Sequence, residues 1–331
     1  MIVPFRKRGA SRLTPAVLPA DSSDPDEGVV RVSLAALIAL HRSAESLALK
    51  PGRIRALASG GYHSPFKGRG MEFDEVRPYM QGDDVRSLDW RVTARTGRPH
   101  TKLFREERER AVLLWIDLRS PMFFATRGAF KAVRAAQAAA LLGWSAVRQG
   151  DRLGALLFSE QSHVELRPKR GKPPLLHLLR QIALHDAWQV RAPVPDPVAG
   201  AEALIRALSR LRRVAQPGSL IILLSDFTRL NDQGSAHLVQ LARHSDLVLA
   251  SVHDPLEADL PPPGRYRVSD GVSFLTLAAE DPHYRQRYRQ RFAAQQQHLR
   301  QLCRRHGMTL LSLATAEEPL AALQRGMGMG R

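Results

Sequence analysis

The sequence predicts an α/β fold, a doubly wound, mostly parallel sheet covered by helices. Three observations carry that prediction. Short apolar runs without polar alternation occur at 112–116, 153–158, 220–224 and 247–252, the texture of strands buried on both faces. Segments of helical period separate most of them, which implies parallel pairing through crossovers. The first run is followed by Asp117 and the third by Ser225-Asp226. In such a sheet, ligands bind beyond the carboxyl ends of the strands where strand order reverses.

Taken in order, residues 1–32 read as a disordered leader, with Pro4, Pro15, Pro19 and Pro25 and an acidic patch at 21–27. Ser33 can cap a helix running to about Leu49, with Leu34, Leu37, Ile38, Leu40 (or His41) and Leu47 on one stripe, and Pro51-Gly52 stops it. Residues 33–110 are expected to form a small N-terminal module of helix and short strands, closing with a basic strand at 101–105. The doubly wound domain is expected over 111–315, with helices at 130–148, 175–185, 199–213 and 235–244. The alternating stretch His163–Arg167 reads as an edge strand reached by a hairpin from Phe158. Asp281-Pro282 starts a long helix with Tyr284, Tyr288, Phe292, Leu299 and Leu302 on one face, and Gly307 ends it. Its arginine face reads as solvated, with a docking surface as the alternative. A last strand is expected at 309–313 and a flexible tail at 316–331.

Composition excludes several classes. With 331 residues and 44% hydrophobic content the chain can bury one large core or two modest ones. The single cysteine, Cys303, excludes an intrachain disulfide and a cysteine-based zinc site. No apolar run reaches the roughly 18 residues of a membrane span, and the first twenty residues lack a signal-peptide core. A soluble, cytoplasmic protein is expected. The formal net charge is +17, and 42 of the 49 basic residues are arginines spread over the whole chain. A spread of that kind favours an acidic protein partner, and a nucleic acid or anionic surface is the alternative. The chain contains no nucleophile elbow, P-loop, zinc-protease motif or dinucleotide fingerprint. Asp83-Asp84 reads as a turn paired with Arg86 rather than a catalytic carboxylate pair. A non-enzyme is expected.

The densest pattern lies between Phe66 and Arg95. Gly68, Gly70, Phe73, Arg77, Tyr79, Gly82, Asp83, Asp84, Arg86, Asp89, Trp90, Ala94 and Arg95 stand in fixed order, with Leu88 among them. Charges near a core must be paired, so this stretch is expected to form an ion-pair network around a buried Trp90, with Arg86 or Arg95 reaching Asp83, Asp84 or Asp89. These residues resemble the signature of the bacterial domain of unknown function 58 family, whose consensus they match at thirteen positions. That resemblance implies a von Willebrand factor A-like C-terminal domain. It also implies a partner, a MoxR-type AAA+ ATPase, with which such proteins are thought to act in chaperone-like maturation or assembly of other proteins.

A von Willebrand A-like domain would hold Mg²⁺ through D-x-S-x-S after the first strand, a threonine from a later loop and an aspartate after the fourth strand. Here the first segment reads Asp117-Leu118-Arg119-Ser120-Pro121, and the stretch before Ala201 has no threonine. Only Asp117 and Asp226 remain of the five ligands. Arg119 offers the positive charge that the two carboxylates would otherwise take from a cation. No cofactor is therefore expected, and Arg119 should contact Asp117 or Asp226. The alternative is weak Mg²⁺ at Asp117, Ser120 and Asp226.

Overall fold

The computed structural model describes residues 26–49, 71–80, 83, 85, 88–106, 110–189, 197–269 and 274–327. Ser33 caps the first helix as expected, its hydroxyl accepting from the Ala36 amide, but α1 covers only Leu34–Ala39. A 3-10 turn at Ser43–Ser46 follows. The helix stops short because later side chains claim this segment. The Leu47 carbonyl accepts from Ser145 Oγ at 2.6 Å and from Arg148, and the Glu45 carbonyl also accepts from Arg148. Leu37, Leu47 and Leu49 are buried with the main core. Residues 33–49 therefore belong to the α/β unit and not to the signature module, which corrects the expected boundary. The chain divides into Pro51–Arg110 and a larger unit of Met1–Lys50 with Ala111–Arg331. Part of the expected leader is also structured, since Val32 is in the core and the Val29 carbonyl accepts from the Phe130 amide at 2.8 Å. Residues 1–25 lie outside the described residues.

In the smaller unit, β1 (Met71–Pro78) pairs antiparallel with β2 (His100–Glu106). Between them runs α2 (Trp90–Thr96). Asp89 caps it by accepting from Arg91 N and Val92 N, and Gly97 closes it at φ 70°, a left-handed conformation that costs glycine little.

The larger unit holds the predicted sheet. Its strands are β3 (Ala111–Asp117), β4 (Arg152–Phe158), β5 (His163–Lys169), β6 (Leu220–Ser225) and β7 (Asp246–His253). A separate hairpin, β8 (Arg265–Ser269) with β9 (Phe274–Ala278), precedes the last sheet strand, β10 (Thr309–Ala314). The order is β10-β7-β6-β3-β4-β5, parallel throughout except for β5, which runs antiparallel to β4 as its alternating sequence predicts. Each strand of the sheet's interior sends alternate residues to opposite faces. Val112, Leu114 and Ile116 join the core beneath α1, α3 (Lys131–Arg148), α4 (Lys172–Ala183) and α9 (Pro319–Gly326). Leu113 and Trp115 join the opposite core beneath α5 (Pro197–Val214), α6 (Asp232–Ala242) and α8 (Pro282–His306). Helix α3 is buried around most of its circumference, and its alanines allow that close covering. A short helix, α7 (Pro255–Ala258), follows β7.

Two further expectations need correction or restriction. The segment expected as a flexible tail contains α9, whose Ala322 and Leu323 are buried in the core. Low sequence complexity near the end hid the apolar stripe that covers β10. The half-buried stripe of α8 is real, but only Leu299 and Cys303 are fully buried. Among the described residues, no helix is long and apolar enough to cross a membrane.

Candidate functional site

Chain order reverses between β3 and β6. From β3 the chain passes to β4 and β5 at one edge, and then returns to β6, β7 and β10 on the other side. Ile116 pairs with Leu224, so Asp117 and Ser225-Asp226 leave the sheet side by side at its carboxyl end. Burial there forbids unpaired charge, and each carboxylate is met.

Asp117 and Arg119 have no exposed side-chain surface. Arg119 Nε lies 3.0 and 3.1 Å from the two Asp117 oxygens, and Nη2 is 2.6 Å from Oδ2. This two-pronged contact is the geometry guanidinium offers a carboxylate. The Arg119 amide also donates to Asp117, and Ser225 Oγ donates to it at 2.6 Å. On its far side, Arg119 Nη1 donates to the carbonyls of Gly200 (2.9 Å) and Thr228 (3.4 Å), while Nη2 sits 3.6 Å from Asp226. The guanidinium lies 5.8 Å from the Phe158 ring centre. The Arg119 contact expected from the sequence is present and reaches both aspartates.

A second cation was not foreseen. Lys131, the first residue of α3, is 1% exposed and donates to Asp226 at 2.9 Å and to Glu257 at 2.6 Å. The result is a chain of alternating sign, Asp117–Arg119–Asp226–Lys131–Glu257. A lysine in the first turn opposes the helix dipole, and this was the available sequence signal that it needed carboxylate partners. Asp-Pro-Leu-Glu at 254–257 likewise reads as a capping box, and the structure forms it, with Asp254 N donating to Glu257 at 2.9 Å. Asp254 also accepts from Thr126 and Thr315 hydroxyls, each at 2.6 Å, which ties the loop before α3 to the end of β10.

The titration behaviour follows from this pairing. Burial pushes the Asp226 carboxyl up, but Lys131 and Arg119 outweigh it and hold Asp226 below the usual carboxylate range. Burial pushes Lys131 down, and Asp226 with Glu257 outweigh that and raise it. Arg119 is raised in the same way, burial being overcome by Asp117 and Asp226. All three stay charged through the physiological range. Nearby, burial and the charge of Glu257 push Tyr288 of α8 up to about 12.

Mg²⁺ requires near-octahedral oxygen ligands and retained waters. The donor set here does not fit it. Asp117 accepts from Arg119 and Ser225, and Asp226 accepts from Lys131 and the Thr228 amide. Ser120 turns away, its amide and hydroxyl both donating to Glu160, at 2.8 and 2.9 Å. Among the described residues, no group of three or more His, Cys, Asp or Glu side chains is placed to hold a metal.

The signature stretch behaves differently from its expectation. Trp90 is 71% exposed and does not anchor a core. As the first residue of α2 it leaves the Asp89 cap outward-facing, so its ring is set by the helix start and not by packing. Among the described residues, Arg77 pairs with Asp83 at 2.8 Å, Asp83 also accepts from the Met80 amide at 2.9 Å, and Tyr79 donates to the Asp83 carbonyl. Arg95, one of the two arginines expected to reach Asp83, Asp84 or Asp89, is exposed in the last turn of α2, and Asp83 pairs with Arg77 instead. Asp89 is buried and serves as a helix cap. Gly68, Gly70, Gly82, Asp84 and Arg86 lie outside the described residues, and Phe73 is placed only as a backbone position of β1.

Residues 75–300 match the family described as "Protein of unknown function DUF58". Uncharacterized proteins of Mycobacterium tuberculosis and Mycobacterium bovis are 30% identical over 275 residues, covering 82% of this chain and 84% of theirs. A conserved hypothetical protein, BatB, from Bacteroides thetaiotaomicron aligns with a TM-score of 0.41 at 13% identity, over 66% of this chain and 97% of that one. An aerotolerance-related membrane protein from Bacteroides fragilis aligns with a TM-score of 0.42 at 11% identity, over 67% of this chain and 100% of that one.

Proposed function

The chain belongs to the DUF58 family, and from that premise we propose that it is a non-enzymatic adaptor that partners a MoxR-type AAA+ ATPase in the maturation or assembly of other proteins in the cytoplasm. The supporting observation is the self-contained network at the carboxyl ends of β3 and β6. The carboxylates that acid–base or metal-assisted chemistry would use there are committed to Arg119 and Lys131. A residue set locked in this way holds a shape, and a fixed shape at a switch point serves recognition. The ATPase as partner comes from the resemblance of the 66–95 stretch.

The test is a pull-down of the purified protein with the MoxR-type ATPase of the same cell, with and without nucleotide. Binding in at least one nucleotide state is expected, without hydrolase activity of the protein's own. Failure to bind in either state, together with tight salt-sensitive binding of DNA or RNA, would replace this reading by the nucleic-acid one.

A further inference from the structure

A cavity of about 290 Å³ opens beside the network, between the β6–α6 loop and α8. Leu299 and Phe227 supply a buried apolar floor, and Arg229, Arg291 and His298 are exposed at its walls. Asp232, at the start of α6, is the one carboxylate among the lining residues, against two arginines.

These arginines differ from their neighbours on α8. Arg285 and Arg289 are matched by Asp259, at 3.3 and 2.7 Å. The side chains of Arg229 and Arg291 make no hydrogen bond or ion pair among the described residues. Their positive charge at the cavity is therefore available to a ligand. The loop that carries Arg229 is held in an unusual form. Phe227 and Arg229 both have positive φ, 53° and 67°, a conformation that non-glycine residues rarely adopt and that concentrates at ligand sites. The surroundings over-determine it: the Phe227 amide donates to Ser225 Oγ (2.9 Å), the Thr228 amide to Asp226 (2.8 Å), and Gln295 of α8 to the Asp226 carbonyl (3.0 Å). The buried network thus fixes the loop on one side and α8 on the other.

We infer that this cavity receives a short acidic and apolar segment of a partner polypeptide, with a Glu or Asp carboxylate between Arg229 and Arg291 and an apolar side chain against the half-buried Leu230. The volume suits one or two side chains rather than a folded surface, and the charge complements a carboxylate. The inference rests on the adaptor reading for the source of the segment, but not for the binding itself.

A fluorescein-labelled pentapeptide of glutamate and leucine, titrated into the full-length protein and followed by anisotropy, tests it. A glutamine–leucine pentapeptide and a labelled single-stranded oligonucleotide are the comparators. The glutamate peptide should bind saturably, and the paired substitutions Arg229→Ala and Arg291→Ala should weaken it by about tenfold or more, the size expected on losing charge-assisted hydrogen bonds. Both side chains are exposed, so the melting temperature should not move, and the glutamine peptide gives a second reading on the unaltered protein. Equal binding of the two peptides, unchanged binding by the double variant, or binding of the oligonucleotide alone overturns the inference. If the unaltered protein captures the ATPase but does not bind the glutamate peptide, the cavity assignment fails and the adaptor reading stands. If the peptide binds but the ATPase does not, the reverse holds.

Discussion

Replacing Arg119 with alanine is the perturbation that best interrogates the crevice. Both members of the Arg119–Asp117 pair have no exposed surface, and the contact is made through three short N–O distances. Alanine would leave Asp117 with the Ser225 hydroxyl and one backbone amide, and would strip the Gly200 carbonyl of its 2.9 Å donor. Lys131 would still neutralise Asp226, so one uncompensated carboxylate sets the scale. Breaking a buried pair from one side costs about 3–5 kcal/mol. For a unit of this size a kilocalorie lowers the melting temperature by roughly 2 °C, so a fall of about 6–10 °C is expected. Thermal and urea unfolding followed by circular dichroism provide the assay, run with and without millimolar Mg²⁺. Arg119→Lys should recover only part of the loss, because an ammonium keeps the charge but not the two-pronged geometry. A melting curve of Arg119→Ala that superimposes on wild type would refute the reasoning. So would a saturable Mg²⁺ heat in the wild-type protein that vanishes in Asp117→Ala.

Two further outcomes are expected. Trp90→Ala should change stability by no more than about 0.5 kcal/mol, as for an ordinary surface position, since the ring is 71% exposed; a large drop in the thermal melt would make it a core anchor after all. Stability should also depend on pH through the network. Asp226, lowered because Lys131 and Arg119 outweigh its burial, contributes stability that is present above its unfolded value near about pH 4 and lost as pH falls through its folded value. Lys131, raised because Asp226 and Glu257 outweigh its burial, contributes stability that is full below about pH 10.4 and lost as pH rises through its folded value. Burial raises Tyr288 to about 12 and Cys303 to about 11, so both add to the alkaline loss. Urea unfolding of Lys131→Met across the alkaline range should therefore show a smaller decline than wild type, and a decline of undiminished size would count against the pairing.

Local information was enough for the sheet and most of its helices. The uninterrupted apolar runs at 112–116 and 220–224 have the texture of strands covered on both faces, and β3 and β6 are buried at every position. The same runs put Asp117 and Asp226 at strand ends, and Arg119, two residues from Asp117, stands where the resemblance would put a metal-site serine, so a contact to one of the two aspartates was legible. Tertiary structure decided what spacing does not encode. Lys131 meets Asp226 across 95 residues of chain because α3 begins where β6 ends, and no periodicity records that meeting. The carbonyls of Glu45 and Leu47 took donors from α3, which ended the first helix early and moved it to the α/β unit. Trp90 shows the same limit from the other direction. An aromatic beside charges is compatible with a buried network or an exposed helix start, and the choice depends on whether the rest of the fold covers it. Hydrogen bonds along the chain are local and legible; burial is a property of everything that packs around a residue, and only the folded chain supplies it.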